Sequence, residues 1–502
     1  MIKISLLISL LFSQMTLAEL KVADIFTDHC VLQQGMNLPV WGTANVGDKV
    51  TVTFNGKNQT TRAGSDGKWK ISLSPLEASF KSASLVVESG KDKLTLKDIL
   101  VGEVWICSGQ SNMQMEVSKV PEVKKLVNKS KHIRSFEVKH MVAFEEQDTL
   151  DGKWTVTHPV SAVAFSFAYY LHQHGDVPIG IIHSSWGSSG IEAWMPRDME
   201  QTVPHFKTIM QEFDADTKTK QKIQSILDGK RPWSRNDDVF LRRQSNLLYN
   251  AMIHPLSPYA CRGLVWYQGE RNTQSMQGML TTPWYSRNSG MLKYGDTLKA
   301  WIQRYRKQWG NEEMHFLTVM LPGYHKALKT GKQKGHDHPD AHSWAWMRES
   351  QLKSLELNHT NVVTTIDLGD LKNIHPKDKL PIGQRLALLA ARDTLGKDLI
   401  AQGPTVKNVE KADGKLIIHF DHAEGLKTPD NKAPTSFWIA DDSQKWVRAE
   451  ATLKGESVVL KAKEVSQPLY VRYAFTGKPE VNLVNGADLP ATPFRSDTFS
   501  PK

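Results

Sequence analysis

The chain has 502 residues, more than one hydrophobic core usually organises, so two or three domains are expected. Hydrophobic residues make up 40% and charged residues 23%, a soluble globular balance that excludes a disordered or fibrous chain. The formal net charge of +10 comes with no nucleic-acid-binding motif, so the field suits an acidic glycan better than a nucleic acid.

Residues 1–18 carry the marks of an export signal: Lys3, the short apolar run Ile4–Phe12, and the small-residue site Thr16-Leu17-Ala18. That run falls well short of the ~20 residues of a membrane span, no later stretch qualifies, and no Cys follows the cleavage site. The mature chain is expected to start near Glu19 and to work in a periplasm or outside the cell, without a membrane anchor. Three cysteines, Cys30, Cys107 and Cys261, allow one disulfide at most, so the scaffold is not built on them.

Residues 19–98 alternate as short strands, with Asn55-Gly56 after Val50–Phe54 as a hairpin signal, and predict an N-terminal β-sandwich. From 99 to 400 strands alternate with helical periods. The strand candidates are Val101–Cys107, Ile133–Val138, Ile179–His183, Gly263–Tyr267, His315–Met320 and Asn361–Ile366; the helical ones include Val163–His174, Thr297–Trp309, Trp344–Leu357 and Pro381–Leu395. This rhythm predicts an α/β unit with a mainly parallel sheet and helices on both faces, whose ligands bind beyond the carboxyl ends of the strands. The polar segment 197–245 reads as an insertion walling one side of the site, and 401–502 returns to β alternation as a C-terminal β domain.

Four segments follow strands and carry chemistry. Val104–Cys107 runs into Ser108-Gly109-Gln110-Ser111-Asn112-Met113, a turn that exposes the Ser111 hydroxyl and places its N–H near a helix start. Alone, that turn could be a helix N-cap. His183–Gly190 adds an unencumbered N–H at Gly187, Trp266–Glu270 adds the Gln268 amide, and Asp367–Pro376 presents His375 before a proline. Nucleophile, oxyanion donors and base together are what acyl transfer requires.

These segments resemble the SGNH hydrolases, and within them the sialate O-acetylesterase family. The likeness rests on Ser-Gly-Gln-Ser-Asn-Met, Trp-Gly-Ser-Ser-Gly-Ile-Glu-Ala-Trp, Trp-Tyr-Gln-Gly-Glu and Asn-Ile-His-Pro, with Cys30–Gln34, Asn246–Pro258 and Thr492–Arg495 extending it over nearly the whole mature chain. It implies an SGNH, flavodoxin-like sheet and a cofactor-free carboxylic ester hydrolase. Its implied substrate is O-acetylated sialic acid, with acetylated xylan or another polysaccharide as the enzyme-level alternative. Carried over, Ser111 is the nucleophile, His375 the base, and Ser111 N–H, Gly187 N–H and Gln268 the oxyanion hole. Gln110, Asn112 and Glu270 are candidate substrate contacts.

The superfamily's acid three residues before the His is Lys372 here. Asp370 is therefore the candidate third triad member, with Asp367, or a Ser-His dyad oriented by a carbonyl, as alternatives. His336–His342 offers metal-ligand side chains, but their geometry is open and no metal is assigned. A glycan-binding protein with an inactive hydrolase domain is the rival from another class.

Overall fold

The computed structural model describes residues 19–229, 231–274, 288–324, 338–339 and 343–500. The export signal expected at residues 1–18 and most of the His336–His342 loop lie outside the described residues.

The architecture is organised by one 18-residue strand, Asp92–Gly109. Its second half, from Val104 to Cys107, is at most 1% exposed, as an apolar strand covered on both faces should be. Ile179–Ser185 pairs with it in parallel on one side and Gly263–Tyr267 on the other. Ile133–Glu137 extends one edge, while His315–Val319 and Thr360–Val363 extend the other, all parallel. Trp154–Thr155 adds an antiparallel edge. Numbered in chain order, the six parallel strands run 2-3-1-4-5-6 across the sheet, so the first strand sits at the centre. Helices Ala162–Gly175 and Lys379–Leu395 pack together, as do Met291–Trp309 and Ser343–Leu352.

The first half of the long strand belongs to a different layer. Ser79–Ser89 pairs antiparallel with it and continues through Lys49–Phe54 to Lys57–Arg62. Asn55 and Gly56 take φ of 50° and 73° in the tight hairpin between the last two. The boundary expected at 98/99 thus falls inside a continuous strand, and one hydrophobic cluster takes in most of the buried residues from Leu20 to Ala401, on both sides of that boundary.

Beyond residue 404 lie two four-stranded antiparallel sheets. Ile418, Val458, Leu460, Ile439 and Val471 make their core, joined by Met320, Val362 and Ile366 from the edge of the parallel sheet. The expected insertion forms helices Pro204–Ala215, Thr217–Leu227 and Arg235–Leu241. All three cysteines are buried and free, and burial pushes the Cys30 and Cys261 thiols up to about 12. No described helix is long and apolar enough to cross a membrane.

Candidate active site

Ser111 opens the short helix Ser111–Gln114 at the carboxyl end of the central strand. Gly109 makes the exit possible. Its φ is +140°, and a Cβ there would lie 2.2 Å from the Tyr267 carbonyl oxygen, so a side chain at 109 would collide with the neighbouring strand. The backbone then turns at Gln110, and the N–H of Ser111, in the first helical turn, has no intrahelical acceptor.

The loop after Thr360–Val363 brings His375 across to it. His375 Nε2 and Ser111 Oγ stand 2.8 Å apart. Desolvation, and then the nearby Lys379 ammonium, hold the imidazole below its usual pKa, so the neutral, proton-accepting ring is favoured.

Neither candidate acid reaches that ring. Asp370 Oδ1 accepts the backbone N–H groups of Lys372 and Asn373, each at 2.7 Å, and these bonds lower its pKa. Asp367 forms a two-point ion pair with Arg385, at 2.8 and 2.6 Å. Asp370 therefore serves as a local turn cap, because adjacent amides of its own loop satisfy it first. The His375 backbone is fixed in turn by Asn373, whose Oδ1 accepts the His375 N–H at 2.9 Å.

The oxyanion assignments divide. Gly187 does lie against Ser111: a Cβ at 187 would come within 3.3 Å of the Ser111 Cβ. Its N–H, however, donates to Gln114 Oε1 at 2.9 Å, so an oxyanion must displace that amide. Gln268 is not turned toward Ser111 as a free donor. Its Nε2 donates to Asn272 Oδ1 (2.8 Å), Ser189 O (3.1 Å) and Gln110 Oε1 (3.2 Å), while its Oε1 accepts from the Tyr294 hydroxyl (2.8 Å). A fully buried amide surrounded by acceptors spends its protons on them, so in this structure the expected donor is engaged within the protein.

The expected substrate contacts are likewise internal. Gln110, Asn112 and Glu270 are at most 4% exposed. Asn112 Nδ2 donates to Glu270 Oε1 at 2.6 Å and to the Ile374 carbonyl at 3.0 Å, while its Oδ1 accepts from Lys379 Nζ at 2.6 Å. Burial lifts the Glu270 carboxyl pKa and drives Lys379 down to about 7. Among the described residues no cluster of His, Cys, Asp or Glu could hold a metal ion.

This geometry, a serine at a strand exit hydrogen-bonded to a loop histidine, fits the comparisons with known proteins. The model of the family "carbohydrate esterase, sialic acid-specific acetylesterase" matches residues 101–228 and 230–391. The chain belongs to this family. The mouse sialate O-acetylesterase is 27% identical over 91% of this chain and 90% of its own length, and the human one 27% over 94% and 92%. A carbohydrate acetylesterase from Xanthomonas citri superposes with a TM-score of 0.79 at 30% identity, covering 95% of this chain and all of that one.

As a member of the sialic acid-specific acetylesterase family, the chain is a carboxylic ester hydrolase acting on O-acetylated carbohydrate. Within this acetylesterase the residues that sequence reasoning missed are Lys379, Gln114, Asn272 and Tyr294. Lys379 left one signal: with Ile382, Leu386 and Leu389 it occupies the apolar stripe of its helix, where a lysine needs a buried partner. Gln114 left none, since a glutamine three residues after a serine is ordinary helix sequence.

Proposed function

We propose that this protein is an exported serine esterase that removes O-acetyl groups from sialic acids through an acetyl-enzyme on Ser111. The observation that carries the reading is the 2.8 Å contact between Ser111 Oγ and His375 Nε2, made across a sheet end by residues 264 positions apart. His375 takes the Ser111 proton as the oxygen attacks the acetyl carbonyl, then returns it to the departing sugar hydroxyl. Water, deprotonated by the same ring, releases acetate.

The N–H groups of Ser111 and Gly187 receive the oxyanion, the latter once Gln114 Oε1 yields its place to it. A negatively charged oxygen outcompetes a neutral amide oxygen for that N–H, so the exchange favours the transition state over the resting site. Gln268 supports this arrangement by bracing Gln110 and Ser189 behind the two turns. Among the described residues no carboxylate is bonded to the imidazole, and in this reading the site works as a dyad whose histidine is aimed by its own loop.

Export is supported by the residue 1–18 pattern, placing the mature enzyme in a periplasm or outside the cell. In the same reading residues 19–98 and 401–502 are β modules flanking an SGNH unit, and a second hydrophobic cluster built mainly from residues beyond 404 supports the second boundary. The parallel strands fit the flavodoxin-like order 2-1-3-4-5 when Ile133–Glu137 is taken as an added edge strand.

Acetate release across acetylated sialic acids and acetylated xylan oligomers tests the substrate, with Ser111→Ala as control. The reading expects preference for the sialic acids and loss of all turnover in the folded variant. Preference for xylan overturns the substrate, and retained turnover in Ser111→Ala overturns the mechanism.

A further inference from the structure

A cavity of about 960 Å³ lies between the ends of the central strands and the inserted segment. Gln114 forms part of its wall, and the same Gln114 accepts the N–H of Gly187, which packs on Ser111. One side chain therefore lies between the cavity and the oxyanion site. Ser185 and His183 lie on its strand side, and Arg231, Trp233 and Arg235 approach from the insertion.

The cavity has the materials of a sugar site. Trp233 stacks on the buried Trp186 at 6.1 Å and 9°, and Trp186 stacks in turn on His140 at 4.2 Å and 6°. A fixed aromatic wall of this kind suits the C–H face of a sugar ring. Across from it, a hydrogen-bonded chain runs from Ser185 Oγ to His183 Nε2 (2.7 Å) and from His183 Nδ1 to Glu137 Oε2 (2.6 Å), offering polar groups to hydroxyls.

Charge balance then decides what kind of sugar. Two of the three acids on the lining are paired with cations, Glu116 with Lys119 and Asp238 with Arg242, while Glu137 is hydrogen-bonded to His183. Lys139 is likewise held by Asp151. Arg231 lies over the Trp233 ring at 4.1 Å and donates to the His140 carbonyl, and neither it nor Arg235 meets a carboxylate among the described residues. Among the described residues, two guanidinium groups without a carboxylate partner therefore outnumber the one lining acid, Glu137, that no cation pairs.

We propose that this cavity is a glycan subsite for a sugar unit bearing a carboxylate, paired with Arg231 and Arg235 and packed on Trp233 while the acetyl ester is presented to Ser111. The planar guanidinium fork matches a carboxylate and selects it over a neutral group. The proposal rests on Ser111 being the nucleophile of a carbohydrate acetylesterase, but its test does not need turnover.

The full chain carrying Ser111→Ala is titrated calorimetrically with N-acetylneuraminic acid, glucuronic acid and, as neutral control, N-acetylglucosamine. At least one acidic sugar binds about tenfold or more tightly than the neutral one, and R231Q/R235Q removes that advantage. Should the double variant lose its fold, Arg235→Gln alone, at an exposed side chain, lowers acidic-sugar affinity about threefold or more. No binding of either acidic sugar, equal affinity for acidic and neutral sugars, or acidic binding untouched in a folded variant each overturns the subsite. Acetate release by the unsubstituted chain is measured separately, so failure of the esterase reading is distinguishable from failure of the subsite.

Discussion

Asn112 Nδ2 donates to the carbonyl oxygen of Ile374 at 3.0 Å, tying the residue after Ser111 to the residue before His375. The same amide group joins Glu270 and Lys379, so the two halves of the site meet on one buried side chain. Replacing Asn112 with Ala removes the tie and leaves a buried carboxyl and amine without their shared partner. We expect kcat on 4-nitrophenyl acetate to fall about a hundredfold with little change in KM, since a misplacement near 1 Å has that effect. A loss below twofold in the folded variant shows that the link does not position His375.

Asp370→Asn should cost less than about threefold in kcat, because Asn keeps the oxygen that caps the Lys372 and Asn373 amides and no imidazole contact is lost. His375→Ala, by contrast, should cost about 10³ or more. Steady-state kinetics of both decide the matter: a loss near 10⁴ for Asp370→Asn would restore Asp370 to a triad.

Gln268→Ala should act on stability before chemistry. It strips one partner each from Gln110, Ser189, Asn272 and the Tyr294 hydroxyl, all buried; several keep a second hydrogen bond, so the total stays well below the about 1–3 kcal/mol per group that full loss would cost. With partial relaxation we expect a loss of about 2–4 kcal/mol in urea unfolding. A variant of unchanged stability with kcat down about a hundredfold would return Gln268 to the oxyanion hole.

The acid limb of kcat/KM should lie below the ordinary histidine value of about 6.5. Only the neutral ring accepts the Ser111 proton, and desolvation followed by Lys379 lowers the His375 pKa, so activity persists as pH falls through 6.5. Lys379→Met should move the limb upward by removing the repelling charge. Rates from pH 4.5 to 8 check both, and a wild-type midpoint above 6.5 contradicts the assigned environment.

Acid should destabilise the fold through His205 and His315, whose partial burial lowers each pKa to about 4. Between about 6.5 and 4 the unfolded chain binds these protons and the folded chain does not, so stability is greatest above that window and falls as pH drops through it. His315→Gln should reduce the difference in Tm between pH 7 and pH 5. An unchanged difference removes His315 from the acid response.

The sequence alone determined the strands and most helices of this protein, because each is written in a local period. Val101–Cys107 is continuous and apolar, as a strand buried on both faces must be, and Asn55-Gly56 marks its hairpin by the positive φ that both residues adopt. The serine and histidine were legible for a related reason: each sits where a strand or a proline-bounded loop ends. Partners were decided only by the tertiary structure. Asp370 read as an acid near a histidine, yet two amides of its own turn hold it; Gln268 read as a donor, yet four buried neighbours claim it. Lys379 and Glu270 come together around Asn112 from segments more than 100 residues apart. A side chain's chemistry is local, but which acceptor stands within 3 Å of it depends on the packing of the whole sheet, and no spacing along the chain encodes that.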